Sequence, residues 1–134
     1  MPNMIFPNLP VTDLDASKTF YAGLGFTFNA QFSDDNTASF VVGDAIVIML
    51  MTRERFADFT KKEIGDPQTT CLQINALGVE SRDEVDRLAD AALANGGTVG
   101  GDTQDHGFMY GRSVDDPTGH RWEFVWMDPA AVEG

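Results

Sequence analysis

The sequence predicts an α+β fold: two βαβββ modules whose eight strands form one cupped sheet, with helices on its outer face. Three observations carry this. The order strand, helix, three strands occurs twice along the chain. Val11-Thr12-Asp13 and Val79-Glu80-Ser81 mark the same strand-to-helix junction in the two halves. A tight turn, Asp116-Pro117-Thr118-Gly119, is followed by strict alternation to Asp128. The 134 residues are 43% hydrophobic and include ten Phe, enough for one domain with module 1 at about 1–64 and module 2 at about 68–128.

Residues 4–12 read as an edge strand because Pro7 and Pro10 each lack an amide donor. Asp13 is a helix N-cap, and Leu14, Ser17, Phe20, Tyr21 and Leu24 follow at helical spacing until Gly25. Strands are expected at 26–33, 36–42 and 45–51, then a short helix over 52–60 capped by Thr52. Gly65-Asp66-Pro67 is the linker. A strand at 69–80 precedes the capping box Ser81-Arg82-Asp83-Glu84. Val85, Leu88, Ala89, Ala92 and Leu93 form the apolar stripe of the second helix, which Asn95-Gly96-Gly97 stops. Strands near 98–102, 107–115 and 120–127 complete the module. On the last, Trp122, Phe124 and Trp126 point one way; Arg121, Glu123 and Val125 point the other.

A net charge of −12 argues against nucleic acid as a partner and would speed encounter with a cation. No apolar run reaches the ~20 residues of a membrane helix, and no basic n-region marks a signal peptide, so the cytoplasm is the expected compartment. The single cysteine, Cys71, rules out an intrachain disulfide and reads as a buried strand thiol. The glycines at 96–101 follow a helix and carry no Lys-Ser/Thr, which argues against a phosphate loop.

The segments VTDLDASKTFYAGLGF and DDPTGHRWEF resemble the vicinal oxygen chelate superfamily, which includes glyoxalase I, extradiol dioxygenases, and fosfomycin and bleomycin resistance proteins. The resemblance implies a metal site built from the first and last strand of each module. Carried over residue by residue, its four positions fall on Phe6, Met49, Ile74 and Glu123. One carboxylate with three apolar side chains cannot complete a metal shell, and a one-residue shift in register brings in no His, Asp or Glu. No metal and no cofactor is therefore expected. His120 is expected to serve the turn, and His106 to sit on a loop at the cavity mouth.

The expected ligand-binding set is Phe6, Asn8, Met49, Ile74, His106, Tyr110 and Glu123, lining an apolar cavity with few polar anchors. Glu123 reads equally as a structural carboxylate paired with Arg112 or Arg121, or as a cavity carboxylate. Burial beside apolar side chains would raise its pKa and suit it to general-base catalysis. The leading expectation is a metal-free homodimer that binds a small, partly apolar and possibly cationic molecule. The alternatives are an enzyme of the same superfamily using Glu123 as base or an atypical metal site, and a non-catalytic sensor or structural dimer. If Phe6 and Met49 line the ligand cavity, Phe6→Ala and Met49→Ala each lower affinity for a molecule that co-purifies with the protein. Unchanged affinity in titration calorimetry would remove both from the site.

Overall fold

The computed structural model describes residues 1–132, which form two compact units, Met1–Asp66 and from Pro67 onward. Each unit has its own hydrogen-bonded sheet. The expected α+β fold of two modules is present, with a four-stranded sheet in module 1 and a five-stranded sheet in module 2.

In module 1, β1 (Asn8–Val11) runs parallel to β4 (Ile46–Thr52), and β2 (Thr27–Phe28) and β3 (Thr37–Gly43) complete the order β1-β4-β3-β2. β1 is an edge strand, as its prolines require. Helix α1 (Leu14–Gly23) begins where the Asp13 carboxylate accepts the Ala16 N–H at 3.0 Å. It buries Ser17, Phe20 and Tyr21. Phe20 meets Tyr21 edge-on at 4.8 Å, and Tyr21 lies 6.1 Å from Phe40 of β3. Leu9, Ala38, Phe40, Ile48 and Leu50 also belong to this core. The expected strand at 26–33 ends after Phe28, because Asn29 turns the chain into a single 3-10 turn by accepting the Gln31 N–H. Thr52 caps α2 (Arg53–Phe56) through the Arg55 N–H, as expected.

In module 2, β5 (Ile74–Gly78) runs parallel to β9 (Arg121–Met127), which pairs antiparallel with β8 (Met109–Asp115). Two short strands, β6 (Thr98–Val99) and β7 (Gln104–Asp105), pair with β8. β7 is an element the sequence reading lacks; two polar residues carry no periodicity. Helix α3 (Arg82–Ala94) is capped by Ser81, which accepts the Glu84 N–H at 3.1 Å. The Glu84 carboxylate binds Arg87 instead of closing the capping box. Val85, Leu88, Ala89 and Ala92 pack over Val114, Trp122 and Phe124. A short helix α4 (Pro129–Val132) follows.

The strand expected at 69–80 begins only at Ile74. Cys71 is therefore exposed, not buried, and its thiol donates to the Gln73 carbonyl at 3.4 Å. No helix among the described residues is long and apolar enough to cross a membrane.

The turn between β8 and β9 is closed by one carboxylate. Asp116 Oδ1, almost fully buried, accepts the N–H groups of Thr118, Gly119 and His120 at 3.0, 2.9 and 2.9 Å. His120 serves the turn through its backbone, its carbonyl accepting the Asp116 N–H. Gly119 has φ +114°, and a Cβ there would stand 2.8 Å from the Pro67 backbone. Gln68 Nε2 donates to the Thr118 carbonyl at 2.7 Å. Asp116→Ala strands three amides and is expected to cost about 2–4 kcal/mol, whereas Ser81→Ala costs about 1 kcal/mol. Urea unfolding monitored by Trp fluorescence measures both; equal losses would mean that the turn is not held by this carboxylate.

Candidate functional site

Alternation and register assign the two faces of the module 2 sheet. Trp122 and Phe124 are buried on the face that α3 covers, and Glu123 lies on the opposite face between Ala76 of β5 and Ser113 of β8. Ile74, Gly78, Gly111 and Val125 share that opposite face by the same period of two. Ile74 is half-exposed on the edge strand, beside Arg121. Small side chains thus flank Glu123 on both sides. A Cβ at Gly111 would approach Val125 Cγ2 to 2.9 Å, so a side chain there would force Val125 to shift.

Glu123 makes no ion pair with either of the expected arginines, although its charge, after the Asp115 hydrogen bond, helps to raise the pKa of Arg121 on the same face. Module 2 contains four cationic side chains, and each is committed elsewhere. Arg121, on the same face, holds Asp115 and the Gly100 carbonyl. Arg112, on the α3 face, bridges Asp86 and Asp90 at 3.0 and 2.9 Å. Arg87 pairs with Glu84, and Arg82 with Asp105. Among the described residues, no hydrogen bond or ion pair engages the half-buried Glu123 carboxylate.

Tyr110 is not beside Glu123. Its position opposite Trp126 puts it on the α3 face, where its hydroxyl donates to Asp86 Oδ1 at 2.6 Å. That hydrogen bond, and then Arg112, pull the Asp86 carboxyl below its ordinary pKa. The neutral polar group beside Glu123 is Ser113, which the alternation of β8 could have identified. Gln104 lies opposite Gly111, and His106 Nε2 is 3.3 Å from Gln104 Oε1. This exposed loop is latched to α3 by Arg82, which grips Asp105 at 2.8 and 2.9 Å and donates to the Gly107 carbonyl at 3.0 Å. The same guanidinium stands over the Tyr110 and Trp126 rings at 5.0 and 5.3 Å. Arg82 was visible in the sequence only as part of a cap.

In module 1, the parallel register of β1 and β4 sets Asn8 beside Met49, with Ser39 of β3 on Met49's other side. Phe6, two residues before Asn8, has the same facing and is half-exposed. Asn8 Nδ2 donates to the Phe6 carbonyl at 2.7 Å. Phe6, Asn8 and Met49 therefore share one face, opposite α1, as their sequence spacing requires.

The β-α-β-β-β order of module 1, repeated in module 2 with the added short strand β7, and the parallel first-to-last strand pairing in each module define a two-module α+β protein. The chain belongs to the Glyoxalase/Bleomycin resistance protein/Dioxygenase superfamily, whose match spans residues 4–124. Solved structures agree with this fold. Hypothetical protein SA1046 from S. aureus is 25% identical, with 94% of each chain covered and a TM-score of 0.78. A glyoxalase-related enzyme from Fulvimarina pelagi is 20% identical over 94% of this chain and 88% of its own, also at 0.78. The fosfomycin resistance protein FosX from Mesorhizobium loti is 13% identical over 100% and 99%, at 0.72. A comparison with curated proteins finds no significant match.

Phe6 and Met49 give module 1 no nitrogen or oxygen ligand at the carried-over positions, and module 2 offers Ile74 and one carboxylate. Among the described residues, neither module gathers three His, Cys, Asp or Glu side chains suited to an ion.

The Arg82 latch has a pH signature. Arg82's hydrogen bond, followed by the Gly107 N–H, holds the Asp105 carboxyl at about 2. A depressed carboxyl stabilises the fold above its unfolded value near ~3.9, and this contribution is lost as pH falls through the folded value, so the window runs from about pH 4 to 2. The pair is exposed, and its effect is local. Arg82→Ala is expected to move the Asp105 titration up toward the ordinary range in carboxyl NMR and to speed amide exchange at Gly107. An unmoved midpoint would show that Arg82 does not hold the loop.

Proposed function

We propose that the protein is a metal-free binder of a small, partly apolar molecule, with Glu123 supplying the charged anchor on the open face of the module 2 sheet. The observation that carries this reading is the uncommitted carboxylate. Every Arg of module 2 is paired with another acid, while Glu123 stands between the small residues Ala76 and Ser113. A half-buried carboxylate that makes no hydrogen bond or ion pair within the protein favours a cation or an N–H or O–H donor. Ile74 and Val125 add apolar contact on the same face, and Ser113 adds a hydroxyl. Family membership supports a small-molecule role, and the net charge of −12 favours encounter with a cation.

Native mass spectrometry of the freshly purified protein, with elemental analysis of the same sample, is the direct test. An organic adduct with far less than one metal ion per chain is expected. Glu123→Gln removes a charge-assisted hydrogen bond and is expected to weaken retention of that adduct by about ten- to hundredfold, from ~1.5–3 kcal/mol. About one transition-metal ion per chain that is lost in Glu123→Gln, or retention of the adduct unchanged by the substitution, would overturn the reading.

A further inference from the structure

Residues 101–108 are exposed throughout. Within them β7 contributes two ladder pairs, Gln104 with Gly111 and Asp105 with Tyr110, and among the described residues it pairs with β8 alone. A two-residue edge strand is too short to hold its own register. Arg82 supplies what the ladder lacks. Its guanidinium donates to both Asp105 carboxylate oxygens and to the Gly107 carbonyl, and it rests on the Tyr110 and Trp126 rings. This clamp lies on the α3 face. Successive strand side chains alternate, so holding Asp105 there puts Gln104 on the other face, the one that carries Glu123. Gln104, Gly111 and Val125 form a row across three strands, next to the row Ser113, Glu123 and Ala76. His106 joins Gln104 on that side, its Nε2 3.3 Å from Gln104 Oε1.

We infer that Arg82 is a positioning residue for the Glu123 face: acting through Asp105 from the opposite side of the sheet, it holds Gln104 as a second, uncharged polar anchor at the rim of that face. The guanidinium–carboxylate fork makes two parallel hydrogen bonds and so fixes orientation as well as distance. Without it, a slip of one residue turns Gln104 away and brings an exposed carboxylate to the rim. The arrangement also narrows the ligand class. Glu123 takes a cationic group, and the Gln104 amide takes a neutral hydrogen-bonding group two strands away, about 10 Å. This inference rests on reading Glu123 as the ligand anchor, and its experiment separates the two.

The probe is 4-aminobenzamidine, which carries an amidinium and an amine on one ring. NMR titrations of the full chain follow the Ser113 and Val125 backbone amides and the Gln104 side-chain amide. In the wild type all three are expected to shift. In Arg82→Ala, Ser113 and Val125 are expected still to shift and Gln104 not to, with affinity lower by about three- to tenfold, the worth of one hydrogen bond. Asp105→Ala is expected to behave alike, and the double variant to bind no more weakly than either, because the two side chains act as one unit. Arg87→Ala, which breaks the exposed pair with Glu84 on the same helix, is expected to leave binding unchanged. A merely structural Arg82 would lower the melting temperature and weaken all three shifts together. That outcome, a Gln104 shift retained in Arg82→Ala, additive losses in the double variant, or no Gln104 shift in the wild type would overturn the inference and leave the Glu123 reading in place. A Ser113 shift retained in Glu123→Gln would instead overturn the Glu123 reading, and this inference with it.

Discussion

The arrangement of module 2 depends on one buried carboxylate in a turn. Asp116 Oδ1 gathers three consecutive amides, and this fixes where β8 stops and β9 starts. Register in a strand is a binary choice, because a slip of one residue exchanges the faces. With the turn held, Trp122 and Phe124 go under α3 and Glu123 goes to the opposite side. The same turn receives the start of the module through Gln68 and the close approach of Pro67 to Gly119. The orientation of the one uncommitted acid of interest therefore follows from a hydrogen-bonding arrangement at Asp116.

Ion pairing then sets the chemical character of the two faces. Arg112 and Arg82 work on the α3 side, binding Asp86, Asp90 and Asp105, and Tyr110 joins them there. Arg121 stays on the Glu123 side but is held by Asp115 and Gly100. Four arginines serve twelve acids in this module, so most acids go without a cation. Glu80, Asp83 and Asp102 are exposed to solvent, and Asp116 and Asp128 accept backbone amides. Glu123 differs in being half-buried on a sheet, where water solvates it less freely.

Most of the fold was legible in the sequence because its signals are local. Asp13, Thr52 and Ser81 announced their helices by side-chain chemistry that acts within three residues. The alternation of Trp122, Glu123 and Phe124 announced the faces of β9. What escaped depended on pairing partners distant in sequence. Gln104 and Asp105 become a strand only because β8 lies alongside, and residues 69–73 join no strand although their composition suits one. The candidate site was legible only in part. Phe6, Asn8 and Met49 share a face as their spacing requires, but Tyr110 was lost to the wrong side through a parity error on β8. Arg82 gave no sequence signal of its latch, since its significance lies in contacts made across the fold.

Both tryptophans of the chain, Trp122 and Trp126, lie on a single strand of module 2, and module 1 has none. Indole emission therefore watches one half of the molecule. Backbone circular dichroism watches both, since each unit has its own sheet and helix. A denaturation curve followed by the two signals separates where a loosely joined pair melts in stages and overlays where the halves melt as one. The placement of two side chains thus gives the chain a built-in optical comparison of its own halves.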